Sequence, residues 1–493
     1  MRNGQFVIPL LLIVGDLLGA PPPPPGTEAA FKKNLLNVIS RLPNAKTRVG
    51  ACVIDLTTGQ KVFVRSADEP FIPASTMKLF AMAAALAELG SQYSFETTLS
   101  VRGPDLILIG GGDPGLGDEK IHSSRNETIY SVFERWAEEL SRRGIQQIKG
   151  EVVVDDLLYD DQRLHPSWER ADLDNWYAAP VGGLNFNDNC LDITAAPATK
   201  RDAFAVISMH PANSLAKIVN DCRTGGETKP VLNHAFDSFE YSISGRVSKN
   251  WTFGPVSFPD PGLLTGDALR TVLTRKGIRV EGGVRRARVR GEDGSIPAAL
   301  ESIAAHGTPI ADVLARAGKD SQNLFAECLL KSAGRAWAVQ RGTTGAAGSF
   351  ANGAHAVRDL MVRAGIEGLD VFQVADGSGL SRENKCAASH LASLLAYAIH
   401  QPWGQVFHDS LSVAGLDGSL RKRLKNSDER VHAKTGTMRG VRTLAGYVHS
   451  DSGPRYAFAI LFNGYTGSSA PYKELQDRFV RVLAEAASQT GTQ

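Results

Sequence analysis

The stretch Pro73 to Gly90, PASTMKLFAMAAALAELG, constrains the fold more than any other part of the chain. From Leu79 to Leu89 it is apolar nearly all round, which predicts a helix buried on every side. Gly90 suits the position just past the helix end, where a left-handed residue closes the last turn. A Pro-Ala turn leads into Ser75, and Lys78 follows one turn later. Residues three apart share a helix face, so this hydroxyl and this amine fall within hydrogen-bond reach at the open end of a core element. Ser75 is the candidate nucleophile and Lys78 its candidate base.

Ser-x-x-Lys is a weak signal by itself, because short motifs of common residues recur by chance. Ser214-Leu215-Ala216-Lys217 and Ser419-Leu420-Arg421-Lys422 also fit, but neither opens a long apolar helix, and both read as surface coincidences. Two further motifs raise the weight of Ser75. Ser321-Gln322-Asn323 sits at a predicted helix start after Gly318-Lys319-Asp320, and Lys434-Thr435-Gly436-Thr437 leads into a predicted hairpin. Ser-x-Asn recurs at Ser124 and Ser248, whereas Lys-Thr-Gly occurs once. The order serine-lysine, serine-asparagine, lysine-threonine-glycine is the signature of penicillin-recognising serine enzymes.

The 493 residues suffice for about three domains on the usual length prior. A hydrophobic share of 43%, a charged share of 22% and a net charge of +2 describe a globular chain with no broad electrostatic case for nucleic acid. Helix Phe31–Leu42 and a hairpin of Val49–Leu56 with Lys61–Arg65 precede the Ser75 helix. Strands Thr97–Val101 and Asp105–Ile109 then open a strand-rich region. Its Leu106–Gly117 segment contains Gly-x-Gly-x-x-Gly, but Pro114 and Gly117 prevent a helix from starting where a pyrophosphate would need it, so it reads as a loop. An amphipathic helix over Glu127–Arg143, a strand Gly150–Val154 ending in Asp155 and Asp156, short strands from Thr194 to Phe258, and a helix Asp267–Lys276 follow. The basic run VRRARVR reads as a solvated strand face. Helices dominate after about residue 300, until Val441–His449 and Arg455–Asn463 form a second hairpin before a helix over Tyr472–Ala487. Terminal strands of this kind complete one sheet with the first hairpin, making the middle an insertion.

MRNGQFVIPLLLIVGDLLGA resembles a secretory signal peptide over residues 1–20. A Pro-rich spacer, stiff and extended at Pro21 to Pro25, is expected over residues 21–30. The five cysteines are scattered, with no Cys-x-x-Cys pair and no His spacing suited to zinc, so no metal or cofactor is implied. Cys190 with Cys222 is the disulfide to test, while Cys52 and Cys328 read as small buried hydrophobes.

With these motifs in place, the chain resembles D-alanyl-D-alanine carboxypeptidases and endopeptidases of the penicillin-binding protein 4 type. A long insertion after the first motif marks that branch, and here about half the chain lies between Ser75 and Ser321. Further similar stretches are GGGDPGL at Gly110–Leu116, YAAPVGGLNFNDN at Tyr177–Asn189, ADGSGLSRENK at Ala375–Lys385 and AGLDGSLRKR at Ala414–Arg423. The resemblance covers nearly all of residues 31–487. It implies an α+β fold with a β-lactamase/transpeptidase-like domain, an antiparallel sheet flanked by helices. That domain is formed by residues 31–96 and 300–487, and residues 97–299 supply an inserted β-rich region of two small domains.

The activity implied is that of an exported, periplasmic serine D-Ala-D-Ala carboxypeptidase, with endopeptidase action on peptide cross-links as an extension. Its substrates are peptidoglycan stem peptides and its covalent inhibitors are β-lactams. A penicillin-binding sensor without turnover and a β-lactamase are the alternatives. Lys78 must be neutral to accept the Ser75 proton; burial and a nearby cation each lower a lysine pKa, and Lys434 is the candidate cation. Ser321 relays a proton to the leaving amine, and Asn323 binds the substrate backbone. The backbone N–H groups of Ser75 and Thr437 form the oxyanion hole. Lys434 with the Thr435 and Thr437 hydroxyls, about Gly436, receives the terminal carboxylate. Asp155 is the candidate acid for the amino group of a diaminopimelate side chain, with a plain strand-end turn as the other reading; Arg382 is a candidate cleft residue, with a structural role as its alternative; and Gln322 stands where the family often has aspartate, at a position whose side chain points away from the site.

Overall fold

The computed structural model of the chain describes residues 25–291, 293–425 and 430–489; the leader expected over residues 1–20 and the first part of the spacer lie outside them. The end of the spacer is corrected, because a helix already runs Pro25–Ile39. Proline is tolerated in a first turn, where its missing N–H has no intrahelical partner to lose.

Both ends of the chain build one antiparallel sheet. Its strand order is Ser412–Val413, Val431–Met438, Val441–Ser450, Gly453–Asn463, Arg48–Asp55, Lys61–Arg65. The joint between the ends is the pairing Ala51↔Ile460 and Val53↔Phe458. Side chains alternate across a sheet. Ala51, Val53, Phe458 and Ile460 therefore share a core with Leu35 and Phe479 of helices Pro25–Ile39 and Ala470–Gln489. Cys52, Ala457, Ala459 and Leu461 face the opposite layer, whose centre is helix Lys78–Leu89.

That helix is buried from Lys78 to Leu86, as its composition requires, and Gly90 closes it at φ 84°. Its turn is more elaborate than expected: Ala74–Met77 is a 3₁₀ turn, and the α-helix proper begins at Lys78. Helix Asn323–Gln340 packs beside it and approaches helix Phe350–Arg363 closely at Gly334, where a Cβ would overlap the Gly353 backbone. Among the described residues no helix is long and apolar enough to cross a membrane.

The inserted region packs around two main apolar cores, with a smaller cluster of Ile107, Ile109, Val153 and Val289 on the other face of its larger sheet. A five-stranded sheet runs Val284–Arg286, Val152–Asp155, Asp105–Gly110, Ser94–Arg102, Glu301–Pro309. Helices Ser131–Arg142 and Pro261–Arg275 pack Phe133, Trp136, Leu269 and Val272 onto it. A smaller core of Leu191, Ile193, Tyr241 and Ile243 serves the short strands between Cys190 and Ser257. The pairing Ser94↔Pro309 moves both edges of the strand-rich region outward from residues 97 and 299. Helix Pro261–Arg275 starts earlier than residue 267 because the Asp260 side chain accepts from Leu263 N, with Pro261 in the first turn.

The basic run is solvated only in part: Arg288 is exposed, whereas Arg286 and Arg290 are engaged by the fold. Arg286 is held by Asp156, with Nε and Nη2 donating over 2.7 and 2.9 Å, and by Asp260 Oδ2 at 2.9 Å. Arg290 donates to the Gly110 carbonyl. The expected disulfide is also absent: Cys190 and Cys222 are free and buried. The Cys190 thiol meets the Asp188 carbonyl at 3.3 Å, whereas Cys222 packs into the smaller inserted core.

Candidate active site

Ser75 lies in a strained turn. Ala74, just before it, has φ 47°, and Ser321 has φ 63°, two non-glycine residues in the left-handed region. Strain of this kind persists only where surrounding structure over-determines it. At Ala74 the constraint is Gly379, on which a Cβ would overlap the Ala74 carbonyl. On the other side Thr443 Oγ1 donates to the Pro73 carbonyl over 2.7 Å.

Lys78 Nζ is wholly buried and has three partners: Ser75 Oγ at 3.2 Å, Asn323 Oδ1 at 2.6 Å and the Ser378 carbonyl at 2.7 Å. Burial pushes its pKa down to about 8, against the opposing charges of Glu327 and Asp376. A neutral amine has two N–H groups and one lone pair. The carbonyl oxygens of Asn323 and Ser378 take the two hydrogens, which leaves the lone pair for the Ser75 hydroxyl.

The second lysine anchors a second serine. Lys434 Nζ donates to Ser321 Oγ over 2.8 Å and to the Thr435 carbonyl over 3.0 Å. Burial, then the charge of Lys78, holds Lys434 well below the ordinary lysine range. Burial, one of the two expected causes, is the largest influence lowering both lysines. The two serine–lysine pairs are nonetheless close enough to sense one another.

Asn323 is engaged on both sides of its amide. Its Nδ2 donates to the Tyr177 carbonyl over 2.6 Å while its Oδ1 accepts from Lys78, so the amide ties the inserted region to the site rather than standing free for a substrate backbone. Gln322 turns away, as expected: it caps helix Asn323–Gln340 through Asn323 N and donates to Asp188 Oδ2.

Gly436 explains its own motif, since a Cβ there would overlap Thr443 Oγ1 and stand 3.0 Å from Ser75 N. Only glycine lets strand Val431–Met438 pass so close to the Ser75 turn. Strand Ser412–Val413 pairs with it at Ala433 and His432, so from Lys434 to Met438 that edge has no neighbouring strand among the described residues. Thr437 Oγ1 accepts from Arg442, and Thr435 Oγ1 donates to Ser419 Oγ. Ser419 thus adjoins the site rather than lying on a remote surface, whereas Ser214 is bound to Asp267 in the inserted region.

Arg382 lines a cleft of about 460 Å³ with Ile72, Glu169, Arg439, Asn463 and Tyr465, beyond the Met438 end of the strand. Its guanidinium donates to the Arg439 carbonyl over 2.9 Å. Asp155 is a correction. It is fully buried, and its carboxylate accepts from Leu157 N, Val289 N and Arg290 N at 3.1, 2.7 and 2.6 Å. Those backbone amides use the carboxylate to close a strand end, so it does not face a substrate.

Sequence reasoning passed over Glu327, Asp376, Ser378 and Tyr177. Glu327 accepts from the Gly377 and Ser378 amides, both at 2.8 Å, and Asp376 accepts from Trp168 Nε1 at 2.8 Å. Tyr177, Asp376 and Ser378 lie in stretches that carried the family resemblance, which was the available signal.

A Ser-x-x-Lys turn heading a buried helix, with Lys-Thr-Gly on the facing strand of an antiparallel sheet, is the framework of the penicillin-recognising serine enzymes. The D-Ala-D-Ala carboxypeptidase 3 (S13) family model matches residues 31–486, and the chain belongs to that family. The D-alanyl-D-alanine carboxypeptidase of an Actinomadura species is 30% identical over 99% of this chain and 91% of its own length. The crystal structure of penicillin binding protein 4 from Haemophilus influenzae superposes with a TM-score of 0.73 at 23% identity, covering 92% of this chain and 99% of that one. The same protein complexed with a β-lactam gives a TM-score of 0.68, also at 23% identity and with the same coverage.

Proposed function

We propose that this protein is a serine D-Ala-D-Ala carboxypeptidase acting on peptidoglycan stem peptides, with cross-link endopeptidase action on the same site. The observation that carries the reading is the 3.2 Å approach of the buried Lys78 amine to Ser75 Oγ, with both Lys78 N–H groups already committed elsewhere. Neutral Lys78 takes the Ser75 proton as Oγ attacks the carbonyl carbon of the penultimate D-alanine. The Ser75 and Thr437 N–H groups stabilise the resulting oxyanion; one such donor is worth about 2.7–4 kcal/mol. Ser321, held by Lys434, passes a proton to the leaving D-alanine amine, and water then releases the acyl group from Ser75.

The free edge from Lys434 to Met438 supports substrate binding as an added strand. Lys434, Thr435 and Thr437 supply cationic and hydroxyl donors for the terminal carboxylate, and Arg382 lines the cleft beyond it. Residues 31–93 and 310–487 form the catalytic unit, with the five-stranded sheet and the smaller β core as inserted units. The enzyme works outside the cytoplasm, where peptidoglycan lies, and the leader-like residues 1–20 support a periplasmic address. An export assay with and without residues 1–20 tests that address.

Purified protein given a pentapeptide muropeptide is expected to release D-alanine, and Ser75→Ala to abolish the release. Penicillin labelling of Ser75 without D-alanine release from any stem peptide would instead identify a sensor. Cross-linked muropeptide dimers assayed in parallel test the endopeptidase action.

A further inference from the structure

Three histidines outside the serine–lysine site converge on one point. His408 ends helix Gly404–Asp409, His432 lies in strand Val431–Met438, and His449 lies in strand Val441–Ser450. One ring nitrogen from each lies within 4.8 Å of the other two. His408 Nε2 and His449 Nε2 are 2.9 Å apart. The His432 ring stacks against both, with centroids 4.3 and 4.6 Å away.

The hydrogen bonding fixes what each nitrogen offers. Asp409 Oδ1 lies 3.1 Å from His408 Nδ1, which places the proton there and leaves a lone pair on Nε2, aimed into the cluster. A carboxylate on the far nitrogen is how proteins orient a metal-ligating imidazole. His432 Nδ1 is buried and has no hydrogen-bond partner. Buried polar groups rarely lack a partner, and such a group calls for an explanation.

We propose that His408, His432 and His449 bind a divalent transition-metal ion of the zinc class, with Asp409 orienting His408. Imidazole nitrogens at about 2.0–2.1 Å from zinc stand roughly 3.3 Å apart in a tetrahedral site. The ring nitrogens therefore need only side-chain rotation to close on one ion, and the fourth position is left to solvent or a bound anion. Sequence spacing gave no hint of this, because the ligands come from a short helix and two strands rather than a local motif. His432 stands two residues before Lys434 on the same face of the strand, so the ion would pin helix Gly404–Asp409 to the strand that presents Lys434.

The test uses the untagged chain, stripped with a chelator and titrated with Zn²⁺ against a chromogenic competitor. One equivalent is expected to bind and to raise the thermal midpoint, and Co²⁺ in its place to give a tetrahedral ligand-field band. His432→Asn and His449→Asn are each expected to weaken binding at least tenfold, and Asp409→Asn by about 10–100-fold. Circular dichroism and penicillin labelling of Ser75 establish that each variant is folded. Absence of stoichiometric Zn²⁺ binding, or unchanged affinity in both folded histidine variants, would overturn the site.

Discussion

Asn323 Oδ1 lies 2.6 Å from Lys78 Nζ, and the same amide donates to the Tyr177 carbonyl, so one side chain connects the base to the inserted region. Hydrogen bonds to charged groups are worth about 1.5–3 kcal/mol. Asn323→Ala is expected to lower kcat/KM for D-alanine release by about 10–100-fold on that scale. Asn323→Asp, by contrast, places a carboxylate beside Lys78, which raises the lysine pKa and should move the acidic, ascending limb of the pH profile upward. A profile unchanged in the aspartate variant would show that Lys78 does not set it.

The pH dependence follows from Lys78. Burial lowers its pKa from 10.5 to about 8, so the proton-accepting form grows as pH rises through about 8, and acylation of Ser75 should accelerate over the same range. Stability moves in the same direction. Between about 8 and 10.5 the unfolded chain holds a proton on this lysine that the folded chain has released, so folding is favoured as pH rises. Below that window both states are protonated and the cost of the buried charge is present in full. Denaturant midpoints measured across it should rise in the wild type and rise less in Lys78→Met.

Gly436→Ala tests the close approach of the strand to the Ser75 turn. The added methyl overlaps Thr443 Oγ1, and overpacking of this kind costs about 1–3 kcal/mol. Fluorescent penicillin should label this variant far more slowly than wild type, with a smaller change in thermal midpoint. Labelling at the wild-type rate would mean that the strand gives way without disturbing Ser75.

Arg286 joins Asp156 to Asp260. Burial alone would raise the Asp260 carboxyl, but the Arg286 hydrogen bond and the Arg163 charge hold it below the usual range. A depressed carboxyl contributes stability that is lost as pH falls through its folded value. Arg286→Ala leaves Asp156 and Asp260 with Arg163 as their remaining ion-pair partner, which is expected to cost about 1–3 kcal/mol. Acid unfolding of this variant should begin at higher pH than in wild type, as read by circular dichroism.

Penicillin should form a long-lived adduct on Ser75. Class A β-lactamases clear theirs with a glutamate-bound water. Here no Glu-x-x-Leu-Asn stretch follows Ser321, and Glu327, one turn into the same helix, is taken up by the Gly377 and Ser378 amides. Intact mass spectrometry after brief exposure to benzylpenicillin should show the penicilloyl enzyme. Rapid multiple turnover without an adduct would point to a β-lactamase.

The Ser75 helix, both terminal hairpins and the Ser75–Lys78 pair were legible in the sequence, because each rests on local periodicity or on a motif of a few residues, whereas the Ser321–Lys434 pair joins segments far apart in the chain and only the fold reveals it. Asp155 stood open between a substrate acid and a strand-end turn because such an acid looks alike from sequence whether it faces solvent or accepts three amides. The arginines of VRRARVR misled for a related reason: their partners Asp156 and Asp260 are distant in sequence, and alternation alone does not say which face is covered.

The pairing of Ala51 with Ile460 sets a timetable for the molecule. Ser75 lies far upstream in the chain of the strand that must lie against it, which carries Gly436 and Thr437. Long-range pairings of this kind close slowly and late. A chain cut before Gly436 therefore keeps the Ser75 turn but lacks the strand that packs against it, so the site exists only once segments from both halves of the sequence have met.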